Sequence, residues 1–178
     1  MEIKKLEGQI SFVSYDSLQI KPESDFARIH EQFESYVPNG KNYVFVGSDQ
    51  EKDEKIGLGY RCIDIKTDDG SFNGVGNIKK EKPSSIDALV LSTAFFNPGE
   101  NHADFLNEAK QKLVPNGLIK IENASLFFSS ENLDARKQLF NEFAENGFSV
   151  WVLPKGESVR GFDEAFNHQA VTVFAQKL

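Results

Sequence analysis

An open α/β sheet, mostly parallel and finished by an antiparallel last strand, is the fold this sequence predicts. Three observations predict it. The run Ile86-Asp87-Ala88-Leu89-Val90-Leu91-Ser92 is short and almost continuously apolar, the mark of a strand covered on both faces. A helical pattern and a second apolar run, Leu118-Ile119-Lys120-Ile121, follow it, which makes a strand, helix, parallel strand unit. A further helix then leads into two β-rich segments, Phe148–Leu153 and Gln169–Gln176, which close the sheet with its final strand antiparallel.

Taken in order, residues 1–20 alternate loosely around Ile10, Phe12 and Val13 and predict a short strand or extended arm. Ser24 or Asp25 can cap a helix reaching Val37, with Phe26, Ile29, Phe33 and Val37 on one face. Pro38-Asn39-Gly40 ends it. Asn42 to Gly47 (NYVFVG) reads as a buried strand closed by a glycine. Ser48 to Lys55 is polar throughout and is expected to be too short for a crossover helix. Tyr60 to Ile65 is the next strand, with Asp64 near its carboxyl end. Residues 66–85 read as loop, with a minimal strand around Phe72–Ile78.

After the strand at 86–92, Asn101 is a candidate N-cap, with Asp104 near the helix dipole. Leu106, Ala109 and Leu113 form an inward stripe beside Phe105, so Glu108 and Lys112 are expected to face water. Pro115 and Asn116-Gly117 supply a turn. The helix from Ser130 to Asn146 places Ala135, Leu139 and Phe143 in one row beside Phe140 and Ala144, and Asn146-Gly147 stops it. At 178 residues the chain is expected to be one domain, with an arm and helix over 1–40 and a core over 42–178.

Composition narrows the function classes. A net charge of −7, divided evenly between the halves, argues against tight autonomous binding to a phosphate backbone. The lone Cys62 cannot form an internal disulfide, and no signal peptide or bilayer-length apolar run is found. The expectation is an intracellular protein, cytoplasmic or nuclear, without a membrane partner. His30, His102 and His168 are scattered, so no metal site is expected, and His102 reads as a surface residue. No G-x-S-x-G elbow occurs. The pairs Gly57/Gly59 and Gly74/Gly76 lack a strand–GxGxxG–helix setting and read as turns. Cys62, within a strand, reads as buried and inert. Lys79, Lys80 and Lys82 read as solvated loop. In such a sheet, ligands sit outside the carboxyl ends of the strands, here near Gly47, Asp64, Asn77 and Ser92.

The order of elements from Asn42 to Leu178 resembles the class I S-adenosylmethionine-dependent methyltransferases. The likeness lies in IDALVLS as a fourth strand and HADFLNEAKQKLVPNGLIKIEN as the following helix, turn and strand. Within that class, DFLNEAKQKLVPNGLIKI, the NGFSV strand start, the terminal NHQAVTVFAQK and RCIDI are similar to the nucleolar ribosomal-RNA-processing methyltransferases. Phe95-Phe96-Asn97-Pro98 is only partly similar to the Asn-Pro-Pro-aromatic motif of amino-group methyltransferases, because the second proline and the aromatic after it are missing.

What the resemblance implies is a Rossmann-like fold and an S-adenosylmethionine site formed by Gly47, Ser48, Asp64, Ile65, Asn77, Ile78 and Ser92. Asp64 matches the acid that accepts both ribose hydroxyls, Asn77 falls near the adenine amine, and Ser92 stands where substrate and cofactor meet. The family's first-strand turn has a D-x-G-x-G-like pattern. Here the run is Phe45-Val46-Gly47-Ser48-Asp49: Gly47 survives, Phe45 replaces the acid and Asp49 replaces the second glycine. Asp49 would repel the cofactor carboxylate by on the order of 1 kcal/mol when solvent-screened. Two functions follow as expectations. One is methyl transfer to RNA or another acceptor, which needs positioning rather than an acid–base constellation, so no catalytic residue is singled out. The other is a catalytically inactive binding or assembly subunit with a protein partner.

Overall fold

The computed structural model describes residues 2–5, 11–14, 40–47, 49–70, 74–92, 102–122, 124, 133–154 and 171–178. The strands are β1 (Glu2–Lys5), β2 (Ser11–Ser14), β3 (Tyr43–Gly47), β4 (Arg61–Asp64), β5 (Ile86–Leu91), β6 (Leu113–Ile121), β7 (Phe148–Pro154) and β8 (Val171–Lys177). The helices are α1 (Asp49–Gly57), α2 (Val75–Lys79), α3 (Ala103–Lys112) and α4 (Leu133–Glu145). The expected helix ending at Val37, the residue Ser48 and the run Phe95–Pro98 lie outside the described residues.

All eight strands form one sheet in the order β1-β2-β7-β8-β6-β5-β3-β4. β3 pairs parallel with β4 and β5, and β5 pairs parallel with β6. β8 lies antiparallel between β6 and β7, as the sequence predicts. β1 and β2 extend the sheet beyond β7 as an antiparallel pair.

The apolar runs of β3 and β5 are continuous because both faces of the sheet are buried. On one face Val44, Val46, Leu89, Leu91, Ile119 and Ile121 pack against Phe105, Leu106 and Ala109 of α3 and Leu139, Phe140 and Phe143 of α4. Phe143 meets Phe148 edge-on, with ring centroids 5.7 Å apart. On the other face Tyr43, Phe45, Tyr60, Ala88, Val90, Leu118 and Phe174 form a second cluster.

Several elements depart from expectation. The polar segment after β3 is a helix, α1. Nine residues span about 13 Å, enough to return the chain to the four-residue β4, and charged side chains take the place of an apolar stripe. Instead of a strand around Phe72–Ile78, the described part, Val75–Lys79, is helix α2. Gly74 precedes it at φ +64, and Asn77 is tied by its side-chain amide to Asp64 O and Lys66 O.

Lys112, expected in water, is only 8% exposed; three residues after Ala109 it falls on the inward stripe, where a lysine stem can lie along apolar surface. His102, expected at the surface, is buried, and its backbone N–H donates to Glu142 Oε2 at 3.2 Å. The turn at Pro115–Gly117 lies inside β6: Ile86 pairs with Leu113 but Ala88 pairs with Leu118, so two residues on β5 span five on β6. Asn116 takes φ +60 to make this bulge. A Cβ at Gly117 would lie 2.9 Å from Val114 O, which explains the glycine there.

Candidate functional site

Parallel pairing brings three of the expected residues to one end of the sheet. Gly47, the last residue of β3, is in register with Asp64, the last residue of β4. Ser92 follows β5 and donates its N–H to Val46 O at 3.1 Å. Asn77 joins them through its bond to Asp64 O at 2.8 Å. Ile65 is half-buried and packs against the core, and Ile78 is fully buried within it.

Asp64 is bonded through both carboxylate oxygens. Oδ1 accepts the Lys66 N–H at 2.8 Å and Oδ2 accepts Lys52 Nζ at 2.9 Å. The backbone N–H and then the Lys52 ammonium hold its carboxyl below the usual aspartate range, so at neutral pH it is an ionised acceptor at the end of β4. Asn77 Oδ1 accepts from Lys80, which also pairs with Asp68.

The glycine of the turn is required by what lies beside it. A Cβ on Gly47 would stand 2.5 Å from Cε1 and Cζ of Phe45 and 3.1 Å from Glu51 Oε2. The Phe45 ring is fully buried, so the residue in the family's acid position is core packing. A carboxylate reaches this turn from α1 instead: Glu51 Oε1 accepts the Ser92 hydroxyl at 3.0 Å.

One turn further along α1, Lys55 Nζ binds Glu122 bidentately, at 2.8 and 2.7 Å. Lys120 reaches the same carboxylate at 3.2 Å. The Lys55 ammonium also lies 5.2 Å from the Phe45 ring centroid and 5.5 Å from that of Tyr60, within cation–π range. Burial, reinforced by Glu122 and Tyr43, pushes the Tyr60 phenol up to about 12, so it stays neutral. Cys62, expected to be buried, is only partly so, and that burial raises its thiol.

Sequence reasoning missed Glu51, Lys52, Lys55 and Glu122. Their only sequence signal is the spacing of Glu51, Lys52 and Lys55, which places three charges on one side of a helix. Among the described residues, no group of three His, Cys, Asp or Glu side chains could hold a metal ion. Among the same residues, no helix is long and apolar enough to cross a membrane. These strand ends and α1 bring together an ionised carboxylate, a hydroxyl, a second carboxylate and two partly buried ammonium groups.

No family model matches the chain, and no curated protein matches it. Solved structures do. A SAM-dependent methyltransferase from Archaeoglobus fulgidus superposes with a TM-score of 0.53 at 16% identity, covering 87% of this chain and 94% of that one. A provisionally assigned S-adenosylmethionine-dependent methyltransferase from Listeria monocytogenes gives 0.51 at 10% identity, covering 89% and 100%. At these identities the likeness is one of fold. The sheet and its helices have the Rossmann-like fold of the class I S-adenosylmethionine-dependent methyltransferases.

Proposed function

We propose that this chain is a methyltransferase-fold protein that takes S-adenosylmethionine in the crevice beyond Gly47, Asp64 and Ser92. The observation that supports this reading best is the convergence of those three residues at adjacent carboxyl strand ends, with an ionised carboxylate in the position suited to a ribose diol. In this reading Asp64 accepts the ribose hydroxyls, with Asn77 holding its loop. S-adenosylmethionine would supply an activated methyl group. The chain's own part is to bind, orient and exclude water. RNA is the acceptor class suggested by the likeness of residues 104–121 to the ribosomal-RNA-processing enzymes. With a net charge of −7, a partner subunit supplies RNA-binding surface in this reading.

A second reading, a catalytically inactive binding or assembly module, is favoured by one observation. Lys52 and Glu51 already occupy Asp64 and Ser92. Thermal denaturation with millimolar S-adenosylhomocysteine separates the readings. At a hundred times its dissociation constant a ligand stabilises by about 2.7 kcal/mol, and the effect is expected to vanish in Asp64→Ala. A flat response in the wild type and in Asp49→Gly supports the inactive module. For a protein that does bind, transfer of a labelled methyl group to total RNA tests the acceptor.

A further inference from the structure

We propose that α1 is a reversible ionic strap across the crevice, which must swing away before a nucleoside can reach Asp64. The inference rests on the cofactor reading above and adds how access is controlled. Three side chains of this one helix each tie down the end of a different strand. Lys52 binds Asp64 at the end of β4, Glu51 binds Ser92 just after β5, and Lys55 binds Glu122 just after β6. The polar groups that a nucleoside-bearing ligand would use at Asp64 and Ser92 are those the strap engages.

The other described helices are fastened to the sheet by apolar burial: Ile78 in α2, Phe105, Leu106 and Ala109 in α3, and Leu139, Phe140 and Phe143 in α4. α1 has no such anchor among its own residues, and only Leu58, just after it, is partly buried against the second apolar cluster. Its sequence, DQEKDEKIG, contains one large apolar side chain, Ile56, and that residue is 57% exposed. A nine-residue polar helix does not hold itself together in water. Its attachment therefore depends mainly on the ion pairs and on the lysine stems beneath them, with Leu58 holding its carboxyl end. Exposed pairs weaken with salt, and partly buried ones fail when one partner is removed. A helix held this way opens locally while the sheet below stays folded.

Hydrogen exchange on the full-length chain, read by mass spectrometry without ligand, tests the strap. Raising NaCl from about 0.05 M to about 0.5 M is expected to speed exchange in 49–57 by roughly threefold or more, with β5 and β6 unchanged. Lys52→Met/Lys55→Met should reach the fast rate already at low salt, while Lys52→Arg stays protected. Protection of α1 that is indifferent both to salt and to the double substitution overturns the proposal. Should the double variant lose β5 and β6 protection, the wild-type salt series decides alone. A strap that opens as expected in a protein whose wild type and Lys52→Met both ignore S-adenosylhomocysteine overturns the cofactor reading instead.

Discussion

Lys52 and Asp64 meet at 2.9 Å beside the carboxyl ends of the parallel strands, with the lysine on α1 and the aspartate at the end of β4. This contact joins a helix without a buried apolar stripe to the residue on which the functional reading depends.

The first prediction concerns acid. The Lys66 N–H, then Lys52, hold Asp64 below its ordinary value of 3.8. At Glu122 burial pushes upward, but the Lys55 hydrogen bond and the Lys120 charge outweigh it and leave the group below 4.5. Both carboxyls are thus more acidic folded than unfolded, so the unfolded chain binds more protons between the two values. Their stabilisation is complete above the ordinary carboxylate range and is lost as pH falls through the lowered folded values. Urea midpoints measured against pH should drop in that window. Lys52→Met/Lys55→Met should show a shallower acid limb, and parallel limbs would contradict the assignment.

The second concerns the turn. Gly47→Ala places a methyl 2.5 Å from two atoms of the buried Phe45 ring. Overpacking of this kind is expected to cost about 1–3 kcal/mol. Phe45→Leu removes the opposing ring edge, so the double variant should recover part of the loss. A double-mutant cycle reports the coupling, and strict additivity would show that ring and turn do not press on each other.

The third concerns α3. Glu142 reaches from α4 to accept the His102 N–H at the start of α3, and also accepts Gln138 Nε2 at 2.8 Å. Glu142→Ala removes a charged acceptor from a helix N-terminus and should cost about 1.5–3 kcal/mol. Glu142→Gln should lose less. Urea unfolding would show the shift in midpoint with the slope unchanged.

What the sequence made legible was whatever apolar burial writes into it. Ile86–Leu91, the stripe of Phe105, Leu106 and Ala109, and the row of Leu139 and Phe143 were readable because each faces the core with its own period. The Gly147 stop, at φ +75, was readable for a local reason of backbone conformation. α1 was not, because it is fixed by pairs between residues as far apart as Lys55 and Glu122, 67 positions along the chain. For the site, Gly47, Asp64 and Ser92 could be placed because strand ends can be counted. The engagement of Asp64 by Lys52 and of Ser92 by Glu51 was marked only by the spacing of charges within 49–57. His102 and Lys112 were misread because a polar side chain hides where a neighbouring helix or its own stem can cover it.

Calorimetric titration of S-adenosylhomocysteine into the wild type, Lys52→Met and Asp64→Ala tests the central claim most directly. Release of Asp64 from its internal partner should tighten binding in Lys52→Met relative to the wild type by about tenfold, equivalent to about 1.4 kcal/mol, and Asp64→Ala should abolish it. Equal heats for all three proteins, or no binding even after Lys52 is removed, would contradict the account.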